Sequence, residues 1–542
     1  METNFIDSID LSDIKAHHDW QIFLTKAKLR VLFVTDGNLS QLDTVYEYMH
    51  GKVLGCTRIS VKRAVYGYSG EGVVIDDSPA DGQPHYANFK FNSTKSGGQK
   101  ILDDFDVMYI FAVNSGSPTN MNDEELSALH EWMNAGHGVF ATGDHSTLGQ
   151  RLASRIPRVG TMRKWTEEDE VPPGTTEKRI DTNQPDPSNP GQLNGTAVIP
   201  NSAQSDEFPQ KITVLPFRKV PAGPLREIHY PHEILCHPQH GKFNVMPDHP
   251  QEGECFRPRD ITIDAKVRFE TEVDNDDEYP KVSGSREHPR IIARGRNSHE
   301  YDLEKGEVDP YVFDMISVYD GYKANVGRVV VDSTWHHWYG MNIDDIKDAG
   351  GENWAKIGRY FLNIAKYLAP EGLYKNRCTW DIIDAQFDYP FVEEFVWDKT
   401  ADNIYDIGVS FHESLTRRIG NCGTIQLAIY RICEYKPWLC ELLERETLPG
   451  LDPRDPSPVC LSCPPIDVLI KYALGGIAIQ TADIRESVKA RFSGKAHKCA
   501  TLDTKDIDQQ IDKGVAFGVD EFLKHLSHDI NQTEKIWLNR KG

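Results

Sequence analysis

The sequence predicts an α/β protein: a parallel-sheet domain with a long insertion, followed by a mostly α-helical C-terminal domain. Three observations carry that prediction. Short apolar runs recur, each ending in a polar loop, as buried parallel strands do. An amphipathic helix separates two of these runs, as a crossover helix would. Beyond Cys378 the runs stop and the apolar spacing becomes helical.

Residues 1–27 read as an acidic, polar N-terminal extension. Lys28 to Asp36 (KLRVLFVTD) is the first buried strand, delivering Asp36-Gly37-Asn38 as a loop at its carboxyl end. Phe105 to Ala112 is the next, ending in Asn114-Ser115-Gly116. Met121 to Asn134 carries Leu126, Leu129 and Met133 on one helical face, with Asn122 as N-cap, Glu125 completing a capping box and Gly136 as the stop. Gly138 to Thr142 repeats the strand pattern and leads into Gly143-Asp144-His145-Ser146-Thr147. About 165–210, rich in Pro, Asn, Asp, Gly and Thr, is an insertion that reads equally as disordered or as a lid over a site. Apolar runs return at Ile212 to Leu215, Phe243 to Met246, Arg290 to Ala293, Val312 to Val318 and Gly327 to Asp332. A helix bearing Trp354, Ile357, Phe361, Ile364 and Leu368 is closed by Pro370, so the first domain spans 28–372. The second, 380–542, carries helices over Ile404 to Tyr435, Pro465 to Phe492 and Val515 to Trp537. The segment Pro465 to Ile479 is apolar nearly all round and reads as core in preference to an interface.

A formal charge of −22 makes a polyanion such as nucleic acid a poor partner. No run approaches the roughly 18–20 apolar residues of a spanning helix, and the first twenty residues lack the basic and then apolar pattern of a signal peptide, so the expectation is a cytoplasmic protein with no membrane partner. Ten cysteines are too dilute for a disulfide framework. Cys460 and Cys463 form a CxxC without a second pair, which favours reduced structural thiols over a zinc site.

In open parallel sheets the ligand crevice lies beyond the carboxyl ends of the strands. There the sequence places Asp36 and Asn38, Asn114 and Ser115, Asp144 and His145, Asp248 and His249, and Thr334 with His336 and His337. Five such ends carrying acid, amide or imidazole groups are harder to explain as packing than any one alone. His145, His336, His337, Asp144 and Asp36 are the candidate catalytic groups, since histidine titrates near neutral pH and carboxylates orient or accept protons. Asn38, Asn114, Ser115, Trp335 and Trp338 are candidate substrate contacts; the two indoles flanking His336 and His337 suit a wall against a sugar or ring, with an aromatic plug at the domain end, one of the two indoles in the core, as the competing reading. The His- and Cys-rich stretch from His229 to Cys255 has ligand chemistry without a fixed ligand spacing. His145, His249, Glu252 and Glu254 are therefore candidates for a divalent metal such as Zn, Mn or Fe, with a surface loop of paired histidines and carboxylates as the competing reading.

These strand ends together resemble the class I glutamine amidotransferase-like fold, a flavodoxin-like arrangement, and within it the trehalose-utilisation (ThuA-like) group. The resemblance covers about 30–370 and rests on Val31 to Asn38, Asp106 to Gly116, Gly136 to His145 and Gly327 to His337. In the amidotransferases one strand ends in a Gly-x-Cys-x-Gly elbow. Here Gly143-Asp144-His145 occupies it, with His145 at the cysteine position, or Thr147 in an alternative register. His336 or His337 matches the partner histidine. With no thiolate, glutaminase-type covalent chemistry is not expected. ThuA-like proteins also lack the nucleophile and are associated with carbohydrate metabolism, so the resemblance implies a small polar substrate such as a sugar derivative.

The resulting expectation is an enzyme using a histidine and carboxylate crevice, metal-assisted or not, for hydrolysis or isomerisation. The alternative is a non-catalytic amidotransferase-like scaffold that senses a ligand or partner. Self-association through the helical domain is a further expectation.

Overall fold

The computed structural model describes residues 8–10, 27–54, 57–116, 121–144, 147–165, 209–221, 227–247, 253–269, 276–296, 300–302, 306–308, 312–386, 403–439, 466–484 and 501–539. Most of the insertion, and the candidate residues His145, Asp248, His249 and Glu252, lie outside them, as do Cys460 and Cys463.

A large mixed sheet organises the first region. Its parallel heart comprises β1 (Ala27–Thr35), β2 (Thr57–Tyr66), β3 (Tyr86–Phe89), β4 (Val107–Phe111), β5 (Gly138–Thr142) and a later strand, Val329–Asp332. Two more strands precede that one in the chain, β6 (Arg290–Arg296) and β7 (Val312–Tyr319), so Val329–Asp332 is β8. The strand order is Thr213–Val214, β6, β7, β8, β5, β4, β1, β2, β3, Val74–Ile75, with Val53–Leu54 added on β2. From β3 through β2, β1, β4 and β5 to β8 every pairing is parallel. Beyond β8 the pairings turn antiparallel. The cause is connection length: Asp320 to Arg328 holds a single 3-10 turn, too short for the dozen or more residues of a parallel crossover. The expected strand Phe243 to Met246 is absent from this sheet; Val245–Met246 instead pairs with Gln210–Lys211 in a separate two-stranded ribbon.

Alternating side chains feed two apolar layers, one on each face of the sheet. Val31, Phe33, Tyr109, Phe111, Phe140 and Val330 pack beneath one set of helices, and Leu32, Val34, Met108, Ile110, Val139 and Val331 beneath the other. Helix α1 (Asp43–Met49) covers the first face, and α2 (Asp123–Asn134) the second. Asn122 caps α2 by accepting from Glu125 N at 2.9 Å. Glu125 does not close the expected capping box. Its carboxylate is fully buried, accepting from Tyr66 Oη at 2.7 Å, with Lys90 Nζ at 3.6 Å. After the short α3 (Gln150–Ala153), helices α4 (Gly340–Ala349) and α5 (Gly351–Leu368) complete the first face.

Helix α6 (Glu371–Ala385) leads into the helical region, where Tyr374, Cys378, Trp380, Ile382 and Ile383 enter a second core. That core is closed by α7 (Ile404–Tyr435), kinked at Gly420, with α8 (Ile466–Gln480) and α9 (Thr504–Asn539). The apolar α8 is core: Leu469, Ile470, Ala473, Leu474 and Ile477 are all buried between its neighbours. No helix among the described residues is long and apolar enough to cross a membrane. Cys433 is disulfide-bonded, a single bridge that the dilute cysteine count did not anticipate; Cys236, Cys255, Cys378 and Cys422 form no disulfide. Composition counts cysteines without revealing which of them the fold brings together.

Candidate functional site

The chain steps from β1 outward through β2 and β3, then returns to place β4 on the other side of β1. This reversal makes the carboxyl ends of β1 and β4 a topological switch point, where parallel sheets open a crevice. Asp36 leaves β1 at that point. Its Oδ1 accepts from Val113 N at 2.7 Å and its Oδ2 from Tyr68 Oη at 2.7 Å, while Asn114 Nδ2 returns a bond to Asp36 O at 2.5 Å. Burial raises the Asp36 carboxyl above its ordinary range, against the lowering effect of these donors. Asn38 is exposed and caps the following 3-10 turn, accepting from Ser40 N at 3.1 Å; Ser115 is exposed beside Asn114.

Two strands further along, β5 delivers Asp144 and β8 delivers Ser333 and Thr334. Thr334 Oγ1 donates to Asp144 Oδ1 at 2.8 Å, and as N-cap of the 3-10 turn Trp335–His337 it accepts from His336 N at 3.1 Å. The turn swings His336 back over the sheet edge, placing Nε2 3.5 Å from Asp144 Oδ2. On the other side of the ring, Nδ1 meets Asn342 Oδ1 at 3.0 Å. Asp144 and His336 are 1% and 2% exposed, so the pair operates away from bulk water, where charge interactions are strongest. Tyr339, on the same side, stacks on Trp335 at 4.8 Å. Burial, with the charges of Asp36 and Asp144 behind it, holds its phenol above the ordinary range.

Under this floor lies Arg163, fully buried. Its guanidinium donates to Ser333 O at 2.7 Å and to the carbonyl of Asp144, clamping the ends of β5 and β8 and adding positive charge beneath both. Sequence reading passed over it, and also over Asn342. The available signal for Arg163 was a basic residue set between Met162 and Trp165; for Asn342 it was an amide six residues after His336, on the first turn of α4.

The remaining candidates go elsewhere. His337 turns into the core, its Nδ1 2.8 Å from Asp332 Oδ1, and Asp332 Oδ2 also accepts from Trp338 Nε1 at 3.2 Å and Tyr360 Oη at 2.8 Å. Trp338 is fully buried against Phe140, at 4.4 Å between ring centres. Trp335 alone of the two indoles borders the crevice, half-buried with its ring centre 4.0 Å from that of His336. Glu254 is buried in an ion pair with Lys164 at 2.7 Å. Among the described residues no group of three or more His, Cys, Asp or Glu side chains is arranged to hold a metal ion. Two buried polar atoms at the end of β8, Ser333 Oγ and Trp335 Nε1, have no hydrogen-bond partner among the described residues. Such atoms in a folded chain call for an explanation, and a bound ligand supplies one.

Chemically, an imidazole between a carboxylate and an amide can pass a proton while its ring is held in orientation and its charged form is stabilised. No protein-family model matches the chain, and no curated protein matches it.

Proposed function

We propose that the crevice formed by Asp36, Asn114, Asp144, Thr334 and His336 is the active site of an enzyme acting on a small polar substrate such as a sugar derivative. His336 serves as general acid and base, and Asp144 stabilises its imidazolium. Asn342 and Thr334 fix the ring and the carboxylate. Hydrolysis and isomerisation both use such a pair, and the chemistry of Asp144 and His336 also suits a divalent metal as an assisting Lewis acid. The scaffold is an amidotransferase-like, ThuA-like sheet without a thiol nucleophile. The observation that carries the proposal is the buried Asp144–His336 pair at 3.5 Å, at the carboxyl ends of parallel strands where ligands bind. A second reading, a ligand-sensing scaffold without catalysis, is favoured by that same near-complete burial, which would keep a bound molecule from the pair.

The test is a turnover screen followed by NMR, with sugars, sugar acids and sugar phosphates offered to the full chain, metal-stripped and with Zn, Mn or Fe added back. Turnover of one compound that drops about 100-fold or more in Asp144→Asn is expected, the usual contribution of acid/base assistance. Saturable binding without turnover in any arm would favour the sensing scaffold.

A further inference from the structure

Close to Asp144 in sequence stands a cation with no ion pair among the described residues. Asp144 N donates to Leu148 O at 3.1 Å and Gly149 N to Asn114 O at 3.3 Å, so Leu148 and Gly149 lie between the ends of β5 and β4. Arg151 follows at once, on α3. Its guanidinium carbon lies over the Tyr68 ring, 3.3 Å from the centroid, and its stem passes the backbone of Gly116. Its Nε is buried without a hydrogen-bond partner, and among the described residues Arg151 forms neither a hydrogen bond nor an ion pair.

In a chain of −22 an unpaired arginine needs a reason, and the reason is local. The charges of Asp36 and Glu125 both press on Tyr68. Asp36 is turned to Val113 N, Asn114 N and the Tyr68 hydroxyl, and Glu125 to Tyr66 and Lys90. With both engaged, the guanidinium is held over the phenol ring while its donors find no partner among the described residues. A planar guanidinium held in this way is pre-organised for two-point binding of an oxyanion.

We infer that Arg151 recognises an oxyanion on the substrate, a carboxylate or a phosphate, held at the lip of the crevice while the remainder of the molecule extends toward Asp144 and His336. This rests on the reading of the crevice as a substrate site, and it narrows the substrate class to acidic sugar derivatives or comparably small anions. Arg151 is on this account a specificity residue, not a proton carrier.

The test reads Arg151 directly, without turnover. Phenylglyoxal labels accessible arginines, and peptide mass spectrometry of the full chain gives the labelling rate at Arg151. The probes are inorganic phosphate, acetate, glucose 6-phosphate, gluconate and neutral glucose, at matched ionic strength. Arg151 is expected to label in the free protein and to be slowed about tenfold or more by a saturating phosphate or carboxylate compound, as a charged hydrogen bond warrants. Glucose should give no protection, and the stronger anion series identifies the oxyanion. Calorimetry with the protecting compound should show its advantage over glucose lost in Arg151→Gln and partly kept in Arg151→Lys. An Arg151 that resists labelling in the free protein, that labels equally with every anion, or whose Gln variant keeps the preference overturns the assignment. Anion protection alongside full turnover in Asp144→Asn would instead leave Arg151 standing and remove the catalytic pair.

Discussion

His336 and His337 are neighbours in sequence with opposite environments. One faces a carboxylate at the crevice floor, and the other is fastened to Asp332 within the aromatic core. The divergence begins one step earlier, where Asp332 points to one face of the sheet and the chain then turns at Ser333-Thr334. A third buried imidazole, His232, gives a prediction about pH. His232 caps a 3-10 turn, its ring set edge-on against Phe217 and Tyr367, and burial pushes its pKa down to about 3. In the unfolded chain the same ring titrates near 6.5. Between those values the unfolded state binds the proton that the folded state excludes, so this contribution to stability is full above the unfolded pKa and declines as pH falls. At pH 5 the loss from His232 is about 2 kcal/mol. Urea unfolding at pH 7.5 and pH 5 should show His232→Asn losing about 2 kcal/mol less than the parent on acidification; an identical loss would place the ring in water in the folded state.

At the scale of elements, legibility followed burial. The helix α2 could be read because Leu126, Leu129 and Met133 share a face and Asn122 announces its start. The strand β2 escaped notice because Arg58, Lys62 and Arg63 interrupt its apolar residues. Structure shows why they are tolerated: Lys62 pairs with Asp77 at 2.7 Å, and the buried Arg63 pairs with Asp43 while lying over the Tyr46 ring. Partners so far apart in sequence leave no local signature. The helical region adds close backbone approaches that no periodicity reveals. A Cβ at Gly518 would fall 2.1 Å from Tyr472 O, and one at Gly514 would fall 2.6 Å from Ile477 Cα. Helices α8 and α9 therefore touch backbone to backbone along Gly514 and Gly518. Alanine improves intrinsic helix propensity by about 1 kcal/mol over glycine, yet Gly518→Ala should destabilise the helical region by about 1–3 kcal/mol through overpacking. Thermal melts followed by circular dichroism at 222 nm check this, and a raised midpoint would mean that the helices are not in contact there.

Taken as a whole, the molecule joins two cores through a shared aromatic and charged seam. The buried Arg328 guanidinium lies 3.7 Å from the centre of the Tyr322 ring and 4.3 Å from that of Tyr367. Tyr374 reaches from the helical core to Glu233, which also pairs with Lys366. The α/β class and the helical C-terminal region were legible because each rests on local periodicity. The antiparallel turn of the sheet beyond β8, and the partners that fix the crevice, were not legible. They depend on connection length and on contacts such as Asp144 with Thr334, which are 190 residues apart. Strand-end polarity brought Asp144, Thr334, His336 and His337 to notice; only the fold could assign Asp144 to His336 and Asp332 to His337. The central claim is that division of labour, and it is tested most directly by comparing turnover per folded molecule and unfolding free energy in His336→Gln and His337→Gln. His336→Gln should cut turnover per folded molecule about 100-fold or more. His337→Gln should lose about 1–3 kcal/mol of stability by removing the imidazole from Asp332 Oδ1 inside the core, where Trp338 and Tyr360 hold only the other oxygen, yet retain turnover in the folded fraction. Full turnover in His336→Gln, with the loss of activity falling on His337→Gln, would contradict the account.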